Sequence, residues 1–284
     1  MRLVLRLTLP IVLVWACATT PPAPPRQPDV PASTDTIAEL PTRILQLRAG
    51  TTVYEFKQSV EVRPQAISDT TYSNIATQAL FSVTVVPQND SIHEITVAVD
   101  SLRIISTGPA PVRTQGVQSS PLSLGTILRS SLGPRSRSID IMLPDSLCAY
   151  GHLVSAAQEI LLLPMPSTAL LAQGANWSDS SYFSTCRAGT TIGTQAIREI
   201  SYIGAQVSEL SLRSTGTIHG AGLMRTDSLS ISGTVTSSGR ATLTGDERLP
   251  LLILTQSEGA LSVRLGDSTT VLHQRSTQEW HRRP

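Results

Sequence analysis

The sequence predicts an all-β protein of antiparallel strands that also contains one short helix. Through most of the chain, apolar residues alternate with polar ones, which is the period of a strand with one buried face. Clusters of Gly, Pro, Asn and Ser separate the alternating runs and provide turns between antiparallel strands. One segment, residues 152–163, has the period of a helix instead.

The first alternating run, residues 51–62, predicts a strand that begins with aromatic residues. One side of this strand carries the apolar set Tyr54, Phe56, Val60 and Val62. The polar residues between them fall on the opposite side, so we expect a half-buried strand.

Two further runs, residues 79–86 and 92–99, predict a β-hairpin over residues 79–100. Pro87, Asn89 and Asp90 lie between the runs and are typical turn residues. The apolar face of the hairpin is formed by alternate residues of both runs: Phe81, Val83, Val85, Ile95, Val97 and Val99.

Residues 152–163 predict an amphipathic helix. Its apolar residues have the spacing of one helix face: Leu153, Ala156, Ala157, Ile160 and Leu161. Pro164 and Pro166 follow and end the helix. A helix that lies on a membrane surface carries Lys or Arg on its polar face, and this segment has neither. We therefore interpret it as a helix that packs on the core.

Later parts of the chain predict a series of short strands separated by glycine-containing turns. These runs are residues 196–203, 207–213, 227–236, 240–245, 251–256, 261–265 and 269–274. In the run 227–236, Leu229, Ile231, Gly233 and Val235 share one face. Gly220, Gly222 and Gly239 are interpreted as bulges or tight turns.

The strands fall into two β-rich halves on either side of the helix. The predicted organisation is a first half at residues 41–150, a helix and Pro-containing connection at 151–173, and a second half at 174–284. A Gly followed by an aromatic residue opens each half, which suggests that the halves are related. This pattern fits either a sandwich-like body or a curved sheet.

The N-terminus has the features of an export signal, predicted at residues 1–16. Arg2 and Arg6 are followed by an apolar run that is too short to span a bilayer. The run ends in Val-Trp-Ala before Cys17, which resembles the lipobox of bacterial lipoproteins. The resemblance implies that Cys17 is acylated and becomes the first residue of the mature chain. An ordinary secretory signal with an incidental cysteine is the alternative.

The lipidated Cys17 and a proline-rich linker are predicted at residues 17–40. Six prolines lie between residues 21 and 31, and such a stretch favours extended polyproline II. At about 3.1 Å per residue, the segment from Cys17 to Asp35 reaches roughly 50 Å. Ala18, in place of an aspartate, favours the outer membrane, with the folded body facing the periplasm.

Cys148 and Cys186 remain as a pair once Cys17 is assigned to the lipobox. An even pair in an oxidising compartment predicts a disulfide, with two buried free thiols as the alternative. Neither a CxxC motif nor a pair of histidines accompanies the cysteines, so we expect no metal site.

Charge and motifs exclude several function classes. Removal of the two signal arginines leaves 20 basic against 21 acidic residues, with no basic patch, so nucleic acid is not expected as a partner. The sequence contains no nucleophile elbow, zinc-protease, phosphate-loop or dinucleotide-binding motif, and its five histidines are scattered. We predict no catalytic residues and no cofactor. Trp177 is expected to be a core plug that starts a strand, with a ligand-cleft residue as the alternative.

Residues 163–177, LPMPSTALLAQGANW, resemble the LP-x-P…G-x-x-W element of a family of uncharacterised bacterial lipoproteins. Members of that family have a lipobox, a polar linker and two β-rich halves around a short helix. The resemblance therefore implies this architecture for most of the mature chain. It implies no activity.

Three functions stay open at this point. The first is a membrane-anchored envelope lipoprotein with a non-enzymatic binding or structural role, which could involve an envelope protein. The second is a carrier of lipid or another apolar ligand, for which a curved sheet plugged by a helix is a suitable layout. The third is an enzyme whose catalytic residues come from distant parts of the chain. We expect the first.

Overall fold

Antiparallel strands make up most of the described residues, and one α-helix interrupts them, which confirms the predicted fold class. The computed structural model describes residues 43–44, 46–65, 73–89, 92–107, 122–132, 137–162, 170–171, 175–187, 190–204, 209–224, 227–245 and 247–284. Before the helices, the strands are β1 Arg43–Ile44, β2 Gly50–Pro64, β3 Ser73–Pro87, β4 His93–Thr107, β5 Gly125–Leu132 and β6 Arg137–Ile141. The helices are a 3₁₀ helix, Asp145–Tyr150, and α1, Gly151–Leu162. After them come β7 Leu170–Leu171, β8 Asn176–Arg187, β9 Thr190–Gly204, β10 Glu209–Met224, β11 Asp227–Thr242, β12 Leu252–Leu265 and β13 Ser268–Arg282.

Eleven strands form one antiparallel sheet in the order β6-β5-β4-β3-β2-β13-β12-β11-β10-β9-β8. The chain enters at β2 in the middle of the sheet and meanders outward to the edge strand β6. It then passes through the two helices to the other edge, β8, and meanders back to β13, which pairs with β2. Within the part of the chain that the structure describes, the short strands β1 and β7 pair with each other. The strands before and after the helices therefore share one sheet.

The sheet is curved, and it is a single layer in place of the sandwich that the sequence also allowed. Helix α1 contacts both β8 and β5, which are nine strand positions apart in the sheet order. At about 4.8 Å per strand, these strands would be roughly 43 Å apart in a flat sheet. A 12-residue helix is only about 18 Å long, so the sheet must curl around α1.

Helix α1 packs on the core, as its period predicts. Leu153, Ala156 and Ala157 from the predicted apolar face are buried, and so is Val154. The side chains of Ile160 and Leu161 lie outside the described residues, together with Pro164 and Pro166. None of the described helices is long and apolar enough to cross a membrane.

The core lies on one face of the sheet, which we call the core face; the opposite face is the outer face. Phe56 lies with its ring centroid 4.4 Å from that of Trp280, and Phe81 packs on Trp280 at 4.7 Å. Tyr54 meets the edge of the same tryptophan at 6.2 Å. The apolar face of the predicted 79–100 hairpin is buried in this core in full. The core therefore centres on the β2–β13 pairing.

Several strands are longer than the sequence predicts. The runs 227–236 and 240–245 largely belong to β11, and the runs 251–256 and 261–265 largely belong to β12. Gly220, Gly222 and Gly239, which were expected to form bulges or tight turns, pair in register with their neighbours. Gly239 is needed for close approach, because a Cβ there would lie 2.3 Å from the Leu254 carbonyl oxygen.

Candidate ligand-binding surface

The core face continues beyond the core as an apolar surface, which we call the apolar strip. It is built from the parts of β2 and β9–β13 that lie away from Trp280, and none of its residues belongs to the core cluster. All of them are half-buried except Leu229, which is buried. The strip consists of Val62, Ile192, Ile218, Leu229, Ile231, Val235, Leu261, Val263, Leu265 and Leu272. In the described residues, these strands make extensive contacts only with other strands of the same sheet.

Glycines give the apolar strip its compact surface. Gly233 lies between Leu261 and Ile218 on the adjacent strands, and Gly220 lies between Ile231 and Ile192. A Cβ on Gly233 would be 2.8 Å from Leu261 Cδ2, so this leucine leans over the glycine. The missing side chains thus let larger neighbours lie flat on the sheet.

A row of serines separates the apolar strip from the core, and we call it the serine band. Ser214, Ser237, Ser257 and Ser276 lie directly opposite one another on four adjacent strands, β10 to β13. The hydroxyls of Ser214 and Ser237 form a hydrogen bond of 2.6 Å. Along β13 the core face therefore changes from Trp280 through Gln278, Ser276 and Gln274 to Leu272.

Two polar atoms at the serine band are buried without a hydrogen-bond partner in the described residues. They are Ser276 Oγ and Gln278 Oε1, and the whole of Ser276 is only 4% exposed. Leaving one such group unsatisfied costs about 1–3 kcal/mol. Buried polar atoms of this kind call for an explanation. Both lie on the core face, Ser276 in the serine band and Gln278 one row closer to Trp280.

Sequence reasoning missed the serine band because it ended the last strand at residue 274. The alternation of Leu272 and Gln274 continues without a break to Trp280. Extending that period of two would have placed Ser276 and Gln278 on the face of Trp280.

The outer face carries two polar grooves of about 690 and 500 Å³. Polar and charged side chains of the central strands line them, among them Lys57, Gln78, Arg213, Glu258, His273 and Arg275. Opposite charges meet across the strands, as in the 2.7 Å contact of Arg275 Nη2 with Glu258 Oε1. Exposed pairs of this kind are typical of a solvated sheet face.

Two ionisable side chains near the β11–β12 connection are perturbed by burial. Burial raises the pKa of Tyr54 above its usual range, although Arg282 opposes this effect. The Tyr54 hydroxyl donates a 2.7 Å hydrogen bond to the Pro250 carbonyl. Burial also lowers the pKa of Arg248 to about 10, and the Nε and Nη2 atoms of Arg248 have no hydrogen-bond partner in the described residues.

The described residues contain no cluster of three or more His, Cys, Asp or Glu that could hold a metal ion. His219, His273 and His281 are exposed, and His281 contacts Glu279 on the same strand. Tyr54 and Arg248 lie in packed regions, and neither lines one of the two grooves.

The cysteines predicted from the sequence are only partly within the described residues. Cys148 lies in the 3₁₀ helix and is disulfide-bonded. That helix packs against β8, the strand that contains Cys186. The side chain of Cys186 is outside the described residues, so the Cys148–Cys186 pairing stays a prediction. Cys17, the signal and the proline-rich linker also lie outside the described residues.

Trp177 lies at the start of β8, half-buried, and packs against the core, as expected of a plug that begins a strand. The LP-x-P residues 163–166 and Gly174 lie outside the described residues. The family resemblance based on this element therefore stays a prediction.

Comparison with known proteins gives no relative from which a function could be transferred. No family model and no curated protein matches the chain. Among solved structures, it aligns with an outer-membrane channel of Pseudomonas putida F1 at 7% identity and a TM-score of 0.27, covering 84% of this chain and 98% of that chain. It also aligns with a loop-deletion variant of an outer membrane protein of Vibrio cholerae at 7% identity and a TM-score of 0.27, covering 82% and 99%. At these TM-scores, the likeness carries no argument about this chain.

Proposed function

We propose that this chain is a lipid-anchored protein of the bacterial cell envelope that binds an apolar ligand and performs no catalysis. The lipobox-like sequence before Cys17 supports the anchor and a position at the outer membrane, facing the periplasm. The apolar strip is the observation that supports apolar binding. An apolar surface beyond the core, built over several strands, marks an interaction site more often than a scattered set of exposed leucines does.

The position of the strip favours a ligand over a purely structural role. It continues the core face of strands that carry core residues further along, among them Ile200, Leu210 and Trp280. Its leucines, isoleucines and valines carry no charge, and their surface suits a hydrocarbon chain. The outer face instead mixes exposed apolar side chains, such as Ile197, Leu223 and Leu254, with the charged pairs of its central strands.

The binding proposal is tested with a matched pair of leucines on β12. Leu261 lies in the apolar strip, and Leu254 is 42% exposed on the outer face. The protein is exported with Cys17→Ser, so that no attached acyl chain competes, and is titrated with the apolar dye 1-N-phenylnaphthylamine. We expect the unsubstituted strip to enhance dye fluorescence, Leu261→Asn to weaken binding about tenfold or more, and Leu254→Asn to leave it unchanged.

Two outcomes would overturn apolar binding at the strip. One is an absence of dye binding by the protein with both leucines intact. The other is an equal loss in the Leu254→Asn and Leu261→Asn variants. The anchor is tested separately by growing cells with labelled palmitate: the label should enter the native chain and be absent from the Cys17→Ser variant.

A further inference from the structure

We propose that the ligand of the apolar strip is an acylated polyol, with its acyl chain on the strip and its ester and hydroxyl groups at the serine band. This inference rests on the proposed function and specifies its ligand. The strip and the band are neighbouring rows of one sheet face: on β11, Val235 of the strip and Ser237 of the band are consecutive core-face residues, and on β13 Gln274 lies between Leu272 and Ser276. An amphiphile with one polar end therefore matches the order of the side chains.

The chemistry of the buried atoms defines the polar end. Gln278 Oε1 only accepts hydrogen bonds, so its partner must be a donor. The Ser276 hydroxyl can donate as well as accept. A glycerol ester offers a donor and an acceptor close together: its free hydroxyl donates a hydrogen bond, and its ester carbonyl accepts one. Ser276 and Gln278 are two residues apart on one strand, or about 6.6 Å, which is within the reach of one small head group.

The length of the strip matches one acyl chain. Along β12 it extends from Leu261 to Leu265, and the paired Gly259 extends the same face toward the serine band. The seven residues from Gly259 to Leu265 span six steps of the strand, or about 20 Å. Half of a bilayer core, which one lipid chain spans, is about 15 Å thick. The strip, extended by Gly259, is therefore long enough to contact most of the length of an extended acyl chain.

The polar outer-face grooves and the buried Arg248 do not suit this role. The grooves lie on the opposite face from the strip, and Arg248 lies in the β11–β12 connection beyond the core. A second copy of this chain could also cover an apolar strip, but the side chains of the strip itself offer no hydrogen-bond donor or acceptor for Ser276 Oγ and Gln278 Oε1. An amphiphile can satisfy both atoms.

The test compares two probes on the chain that carries Cys17→Ser: 1-oleoylglycerol, which has the polar end, and 1-octadecene, which lacks it. Binding is measured by displacement of 1-N-phenylnaphthylamine and by native mass spectrometry. We expect Ser276→Ala to weaken 1-oleoylglycerol binding about two- to tenfold, the effect of one hydrogen bond, and to leave 1-octadecene binding unchanged. Ser232→Ala, on the outer face of β11, is the control and should change neither affinity.

The outcomes separate this inference from the proposed function. If Ser276→Ala binds both probes as the parent does, the polar-end assignment is overturned while apolar binding stands. If the parent binds neither probe, both proposals are overturned. A native mass of twice the chain with no bound probe would identify a second copy as the occupant and would also overturn both. Thermal unfolding of Ser276→Ala without probe controls for folding, because loss of an unpartnered buried hydroxyl should not lower stability.

Discussion

At the scale of single residues, burial decides which side chains matter for stability. Tyr54 is fully buried, with its hydroxyl bonded to Pro250, whereas Tyr182 is 57% exposed on β8. Arg248 is buried in the β11–β12 connection, and its backbone N–H donates to the Gln46 carbonyl at 2.9 Å. The sequence alone does not separate such residues from exposed ones of the same type.

Tyr54 should make the protein sensitive to alkaline pH. Its pKa is raised in the folded state, so the folded state keeps the proton that the unfolded state releases above about pH 10. Its contribution to stability is therefore complete below that pH and is lost as pH rises above it. We expect urea unfolding at pH 9 and pH 11 to show a smaller loss for Tyr54→Phe than for the parent.

Arg248 is present in both the parent and the Tyr54→Phe variant. The difference between their losses of stability from pH 9 to pH 11 therefore reports on Tyr54. The exposed Tyr182→Phe variant is the control and should follow the parent. An identical alkaline loss in Tyr54→Phe and the parent would contradict the prediction.

Arg248 should be replaceable with a gain in stability. Its guanidinium is desolvated, and two of its nitrogens have no partner in the described residues. Arg248→Met keeps the volume and the backbone hydrogen bond, and it removes the buried charge. We expect the free energy of unfolding to rise by about 1–2 kcal/mol. The exposed Arg240→Met variant is the control and should change the free energy of unfolding by less than about 0.5 kcal/mol. A destabilised Arg248→Met variant would show that other groups in the folded protein compensate the charge of Arg248.

At the scale of elements, the glycines of the long strands determine how closely neighbouring strands can pack. Gly233 and Gly216 both lie on the core face, in β11 and β10. A Cβ on Gly233 would be 2.2 Å from the Ala260 carbonyl oxygen, whereas one on Gly216 would meet its nearest atom at 3.4 Å. The same substitution should therefore have opposite results at the two sites.

We expect Gly233→Ala to lower the free energy of unfolding by about 1–3 kcal/mol, because the backbone of β12 must move. Gly216→Ala should be neutral or stabilise by up to about 1 kcal/mol, since alanine restricts the unfolded chain more than glycine does. Chemical denaturation of both variants checks this pair. Equal effects of the two substitutions would mean that β12 can move away from residue 233 at little cost in free energy.

The predicted Cys148–Cys186 disulfide would tie the 3₁₀ helix to β8. It would close a loop of about 38 residues, which contributes roughly 3–4 kcal/mol in the chain-entropy model. We expect Cys148→Ser to lose about this much stability and to expose one alkylatable thiol at Cys186, detected by mass spectrometry without reduction. A variant in which Cys186 stays unreactive would show that Cys148 has another partner.

At the scale of the whole molecule, the sheet is held together at its centre by the pairing of its first and last long strands. β2 and β13 meet there and share the aromatic cluster, while β6 and β8 are edges. Amide exchange follows local stability, which is highest in buried central strands. Hydrogen exchange should therefore be slowest in β2 and β13 and fastest in the five-residue β6; equal protection in β6 and β13 would contradict this arrangement.

The serine band shows the limit of sequence reasoning at the binding surface. Ser276 and Gln278 follow the same alternation as Leu272 and Trp280, so their face could have been assigned. The alignment of Ser276 with Ser257 and Ser237 depends on the register between strands, and register is set by pairing partners far apart in the sequence.

The sequence by itself determined the strand class, the one core-packing helix and the faces of β2, β3 and β4, because these depend on local periods of two and 3.6 residues. Only the tertiary structure decided that the strands share a single sheet and that β13 pairs with β2. It also decided that the glycines at 220, 222 and 239 lie inside strands. Strand order, register and close approach are contacts between distant residues, and no local period of the sequence encodes them.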